Sequence, residues 1–159
     1  MHMSHDKRCL LLTYRNMPYL IPYEIKESQI AHIGLFTKVK INKGQQISRL
    51  ESKERIYYDL NQLEVIEKSY DHEVRIKDLL TYGWYDETID KYIYAIDDDR
   101  FINHSSTPNM EETIIDGQLY QVALRDIDAG EELTNDYATF ECLPDYILFL
   151  YDKYKVWHF

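Results

Sequence analysis

The residues best suited to chemistry lie in two stretches. Arg100-Phe101-Ile102-Asn103-His104-Ser105-Ser106-Thr107-Pro108-Asn109 gathers side chains that hydrogen-bond to backbone or ligand around an apolar Phe-Ile pair. Such a segment reads either as a fixed functional loop or as a structural turn held by Asn and Ser capping bonds, and composition weighs the two equally. The second stretch closes with Glu131-Glu132-Leu133-Thr134-Asn135-Asp136-Tyr137. Paired glutamates invite acid/base hydrolysis, but neighbours on a strand point to opposite faces, so Glu131 and Glu132 do not converge on one bond. Asn103-His104-Ser105 also fits a glycosylation sequon, which without a secretory signal is read as a chance match.

Other chemistries find less support. Cys9 and Cys142 offer no CxxC spacing, and the six histidines do not stand at zinc-finger intervals from them, so no structural metal is expected. The 15 tyrosines combine a large apolar ring with a hydroxyl that needs a partner when buried. Packing accounts for most of them and leaves a few to line a pocket around a polar substrate.

These stretches need elements to hold them. Tyr19 to Ile25 and Ile33 to Ile41 read as strands, the second ending at the turn Asn42-Lys43-Gly44. From the N-cap candidate Asp59, Leu60, Leu63, Ile66 and Tyr70 recur at helical spacing, and Val74, Leu79 and Leu80 predict a second helix that stops before Gly83. Tyr92 to Ile96 reads as a strand, Asp97-Asp98-Asp99 as a solvated turn, and residues 103–109 as a loop. Asp116-Gly117 between Met110–Ile115 and Gln118–Leu124 predicts a hairpin with a type I′ turn. Asp128-Ala129-Gly130 makes another turn, and Pro144-Asp145 opens a terminal helix through Tyr151.

At 159 residues, a single compact domain buries roughly 70% of its extended surface, enough for a core. Eighteen basic against 28 acidic side chains give a net charge of -10, which disfavours nucleic acid or anionic lipid and favours a basic partner. The longest apolar runs fall far short of the roughly 20 residues of a membrane span. No secretory signal is seen at the N-terminus, so an intracellular, thiol-reducing setting is expected.

Three blocks together resemble the SET domain of protein lysine methyltransferases. They are Ile33-Gly34-Leu35-Phe36, Arg100 to Asn109, and Arg125-Asp126-Ile127-Asp128-Ala129-Gly130-Glu131-Glu132-Leu133-Thr134-Asn135-Asp136-Tyr137. The second block is similar to the family's RFxNHSCxPN signature and the third to its RDIxAGEELTxDY signature. The resemblance covers roughly residues 20–140 and is closest to compact, single-domain members. It implies a mostly β fold with a few helices, a β-clip of small sheets with a C-terminal pseudoknot. A 1–19 extension would precede a 20–140 SET domain, with a helical insert at about 59–83 and a helical segment at 141–159 behind it.

The resemblance also implies S-adenosylmethionine as methyl donor, S-adenosylhomocysteine as product, and a lysine of a basic protein or peptide as acceptor. A SET-fold module that binds cofactor or peptide without turnover is the alternative. Tyr137 matches the catalytic tyrosine. His32, Ile33, Gly34, Phe36, Tyr82, Arg100, Asn103, His104 and Phe140 are assigned to the cofactor, and His104 acts there mainly through backbone groups rather than as a base. His32 stands where the family's turn has its first glycine. Asn135, Tyr94 and Trp157 are assigned to the lysine channel. Relatives carry Phe or Tyr at the position of Asn135, and its shorter side chain leaves room for more than one methyl group. The terminal helix and Trp157-His158-Phe159 are candidates to take the place of the zinc-binding segment that covers the channel in many relatives, burial of these residues against the core being the alternative.

Overall fold

A computed structural model describes residues 19–50, 55–137 and 143–156. Its sheets are small, and pairs distant in sequence join them. β1 (Tyr23–Glu27) pairs antiparallel with β2 (Ile33–Thr37). β3 (Gln46–Arg49), β9 (Gln118–Ala123) and β8 (Met110–Ile115) form a three-stranded sheet in that order. A second such sheet is ordered β4 (Arg55–Tyr58), β6 (Lys91–Ala95), β5 (Gly83–Asp86). The predicted hairpin stands where Asp116-Gly117 put it, with φ of 51° and 79°, the positive pair a type I′ turn requires.

The helices lie between β4 and β5. α1 (Leu60–Glu67) starts at Asp59, whose carboxylate accepts from the Gln62 amide while the Gln62 side chain accepts from the Asp59 N–H, a capping box that satisfies two orphan donors. The helix ends at Glu67, so Tyr70 falls in the following turn with its side chain fully exposed rather than on the core face expected of it. α2 (His72–Tyr82) buries Ile76, Leu79 and Leu80 and leaves Val74 in solvent. α3 (Asp145–Tyr154) runs nearly a turn past the expected end, because Ile147, Leu150, Tyr151 and Tyr154 recur at helical spacing and are all buried.

Two cores result. One is built from Tyr19, Ile21, Leu35, Ile41, Ile47, Ile102, Met110, Ala123, Ile127 and Leu133 of the strand-rich part. The other joins Leu63, Ile76, Leu79 and Leu80 to Tyr85 and Tyr92 of the second sheet and to the buried face of α3. The acidic run departs from the sequence reading. It forms a 3-10 turn (Asp98–Phe101), and Asp99 is buried rather than solvated. The Tyr19 hydroxyl donates to Asp99 at 2.7 Å, the Tyr23 hydroxyl donates to Asp98 at 2.6 Å, and Arg55 pairs with Asp99 at 3.1 Å. Two distant parts of the chain, residues 19–23 and Arg55, converge on this turn, which no local pattern could announce. Among the described residues no helix is long and apolar enough to cross a membrane.

Candidate functional site

The 103–109 segment is not all loop. Asn103 and His104 form a short strand, β7, pairing in parallel with β10 (Thr134–Asn135), so Thr134 lies beside Asn103 and Asn135 beside His104. The two chemistry-bearing stretches of the sequence thus become neighbours. Asn109 fastens them: its amide donates to the Glu132 carbonyl at 2.7 Å and its side-chain oxygen accepts from the Thr134 N–H at 2.9 Å. The Ser105 N–H donates to the Asn135 carbonyl at 3.0 Å.

Tyr137 follows immediately. Its backbone N–H donates to His104 Nδ1 at 3.0 Å, and its hydroxyl donates to the Ile102 carbonyl. Because Nδ1 accepts, this geometry requires the neutral imidazole with its proton on Nε2. Burial, and then the negative charge of Asp99, push the Tyr137 phenol well above its ordinary value. It is a donor at physiological pH and not a base.

Around Asn103 lies a tight polar knot. Its side-chain amide donates to Glu132 at 2.6 Å, to the Ile33 carbonyl at 3.1 Å, to Ser28 at 3.2 Å and to the Ala31 carbonyl at 3.3 Å. Ser28 in turn donates to Glu132 at 2.8 Å. Gly34 is required here for space: a Cβ on it would overlap the Glu132 carboxylate, whose Cδ would lie 2.6 Å away, with Asn103 Nδ2 at 3.2 Å. Glu132 is therefore a site residue that the sequence reading left without a role. Its signal was present in the refusal of Glu131 and Glu132 to share a face, since Glu131 turns the other way to bind Arg125 at 2.8 Å. Gly34→Ala should destabilise the fold by about 1–3 kcal/mol, the cost of leaving half-buried polar groups without partners. In a Glu132→Ala background the same change should cost clearly less, and urea denaturation of the four proteins checks it.

The assigned residues fall into two groups that meet at His104 and Tyr137. His32, Ile33, Gly34 and Asn103 surround the β1–β2 turn, where His32 has a positive φ of 40°. Phe36 lies on β2, bridged to Glu132, with the Lys26 ammonium 4.4 Å from its ring centre. Tyr82, Arg100, Asn135 and Tyr137 instead line a cavity between the two cores. Arg100 sits over the Tyr82 and Phe101 rings at 5.6 and 4.7 Å. Tyr85 and Trp84 of β5 add further walls, as do Leu143 and Tyr151 from the C-terminal segment. Tyr94, assigned to the channel, lies off this cavity, its hydroxyl donating to Asp78 of α2 at 2.6 Å. Strand alternation explains this, because Tyr94 faces the helix layer. Phe140 and Trp157 lie outside the described residues.

Residues 32–138 match the SET domain family. Over 155 residues the chain is 32% identical to a curated protein of Plasmodium falciparum (isolate 3D7), the variant-silencing SET domain-containing protein. That alignment covers 87% of this chain and 6% of the relative, so the chain spans only a small part of it. A solved structure of ctPRC2 in an autoinhibited conformation bound to S-adenosylmethionine superposes with a TM-score of 0.59 at 19% identity, covering 85% of this chain and 17% of that one. Apo ctPRC2 carrying two substitutions in Ezh2 gives 0.57 at 18% identity, covering 79% and 16%. These likenesses establish the fold.

Proposed function

The chain belongs to the SET domain family, and from that premise we propose that it is a S-adenosylmethionine-dependent methyltransferase whose acceptor is a lysine side chain of a basic protein or peptide. The observation that carries the reading is Tyr137. A phenol that stays protonated is fixed on the Ile102 carbonyl in a cavity wall, beside the paired segments that bear Asn103 and His104.

The residues present suit the cofactor's charges. Glu132 lies 2.6 Å from the Asn103 amide and Asp136 lies 3.6 Å from His104 Nδ1, so carboxylates flank the place where a sulfonium and an α-ammonium would be held. Asn103, His104 and Gly34 would hold it, with His32, Ile33 and Phe36 at the edge. When bound it supplies a methyl group on positive sulfur. The chain's own task is then alignment and exclusion of water. A lysine ammonium has a pKa near 10.4 in water, and apolar walls disfavour its charged form. The Tyr137 oxygen accepts from the amine and holds its lone pair along the transfer line, while Asn135 lies beside the same cavity. No strong base is required of the protein.

The test is incubation of the protein with labelled S-adenosylmethionine and basic proteins, followed by mass spectrometry of labelled lysines. Asn103→Ala should weaken cofactor binding at least tenfold in a folded protein, since it removes a group holding both the β1–β2 turn and the cofactor's amino-acid end. Calorimetry with S-adenosylhomocysteine measures it, and unchanged affinity would take Asn103 out of the site.

A further inference from the structure

The cavity that holds Tyr137 carries a carboxylate that the reaction as described leaves unused. Glu112 lies on β8 opposite Gln121 of β9, and both line the cavity with Asn135 and Tyr137. Gln121 commits its side-chain oxygen to the Ser48 hydroxyl at 2.6 Å. Arg55 commits its guanidinium to Asp99 at 3.1 Å and lies over the Trp84 ring at 5.0 Å. Glu112 itself makes no hydrogen bond or ion pair with the described residues. A carboxylate in a wall with aromatic neighbours and no partner of its own is placed to take a cation from outside.

We propose that Glu112 is the anchor for the substrate's ammonium group, drawing the target lysine into the cavity as a cation. The inference rests on the lysine acceptor proposed above. The charged groups that face Glu112 are Arg55 from β4, Asp99 from the 3-10 turn and Asp86 from β5; desolvation lifts its carboxyl, Arg55 opposes this, and the two aspartates add to it. The side chain keeps access to solvent, so a cation from outside can reach it. A carboxylate beside an ammonium favours the charged amine, so the anchor strengthens capture and at the same time holds back the neutral nucleophile. Removing the charge therefore has two opposite effects. Binding weakens, and the amine loses its proton at lower pH.

Two readouts test this with the full chain. The first needs no turnover. n-Butylammonium, a lysine side chain without its backbone, is titrated into the protein and followed by NMR, with n-butanol as the neutral isostere. Glu112→Gln should bind the cation about tenfold more weakly, Glu111→Gln on the other face of β8 should match wild type, and n-butanol should not distinguish the three. The second uses the best-methylated member of a lysine-centred peptide library. Glu112→Gln should raise KM about tenfold and lower the pH of half-maximal turnover by about one unit, while Glu112→Asp keeps part of the wild-type affinity. A purely structural residue would depress activity at every pH without moving the profile. Equal n-butylammonium binding by Glu112→Gln and wild type, or superposable pH profiles, would overturn the anchor. Cation binding that depends on Glu112 in a protein that transfers no methyl would uphold the anchor and overturn the enzyme reading instead.

Discussion

Tyr137→Phe is expected to lower turnover about a hundredfold and leave S-adenosylhomocysteine affinity within a factor of two of wild type. The change deletes one oxygen from a side chain whose hydroxyl donates to the Ile102 carbonyl and whose ring packs 5.7 Å from the His104 ring. The ring and the backbone bond to His104 survive, so the fold and the Asn103 knot should remain. What is lost is the oxygen that orients the amine. Loss confined to kcat is the signature of a group that matters more in the transition state than in the ground state. Stopped assays over a peptide series with parallel calorimetry make the separation, and full activity in the variant would remove Tyr137 from catalysis.

Arg55→Ala should strongly destabilise the fold, costing about 3 kcal/mol at neutral pH. The Arg55 and Asp99 side chains are 10% and 6% exposed, so truncating one strands the other's charge away from water. The pH dependence has a definite sign. Burial raises the Asp99 carboxyl, while the Tyr19 hydroxyl and Arg55 pull it down. Without Arg55 the folded-state value rises further above the unfolded one, and the folded variant binds a proton more readily than its unfolded chain. Its stability is then retained at low pH and lost as pH rises through the raised value. Urea denaturation at pH 5 and pH 8 should show the larger deficit against wild type at pH 8. A deficit that grows toward acid would refute the assignment. Lys77→Ala makes the contrast, because its pair with Glu73 lies in solvent at 46% and 64% exposure and should show no such dependence.

The local elements were legible because their causes are local. Asp59 with Gln62 marked a helix start, Gly83 a helix stop and Asp116-Gly117 a hairpin, each through hydrogen bonds or dihedrals spanning a few residues. Errors arose where distant chain decides. Tyr70 fits the helical period yet falls past the end of α1, since periodicity carries no information on where packing stops. Asp97-Asp98-Asp99 has the composition of a solvated turn, and only Tyr19, Tyr23 and Arg55 arriving from elsewhere make it a buried clamp. Tyr94 was assigned to the lysine channel under the resemblance, whereas strand alternation turns its hydroxyl toward Asp78.

By itself the sequence singled out two stretches, around Asn103-His104 and up to Tyr137, as the candidates for chemistry, because motif spacing is a property of the chain. Only the tertiary structure decided how they cooperate. The parallel pairing of β7 with β10 joins segments about thirty residues apart, and it sets the Tyr137 hydroxyl on Ile102 and its backbone on His104. The same holds for Glu132 filling the space beside Gly34 and for Glu112 entering the cavity wall. A residue's neighbours in sequence set its own dihedrals and caps, but the partner of a carboxylate is set by which surfaces the hydrophobic cores bring together.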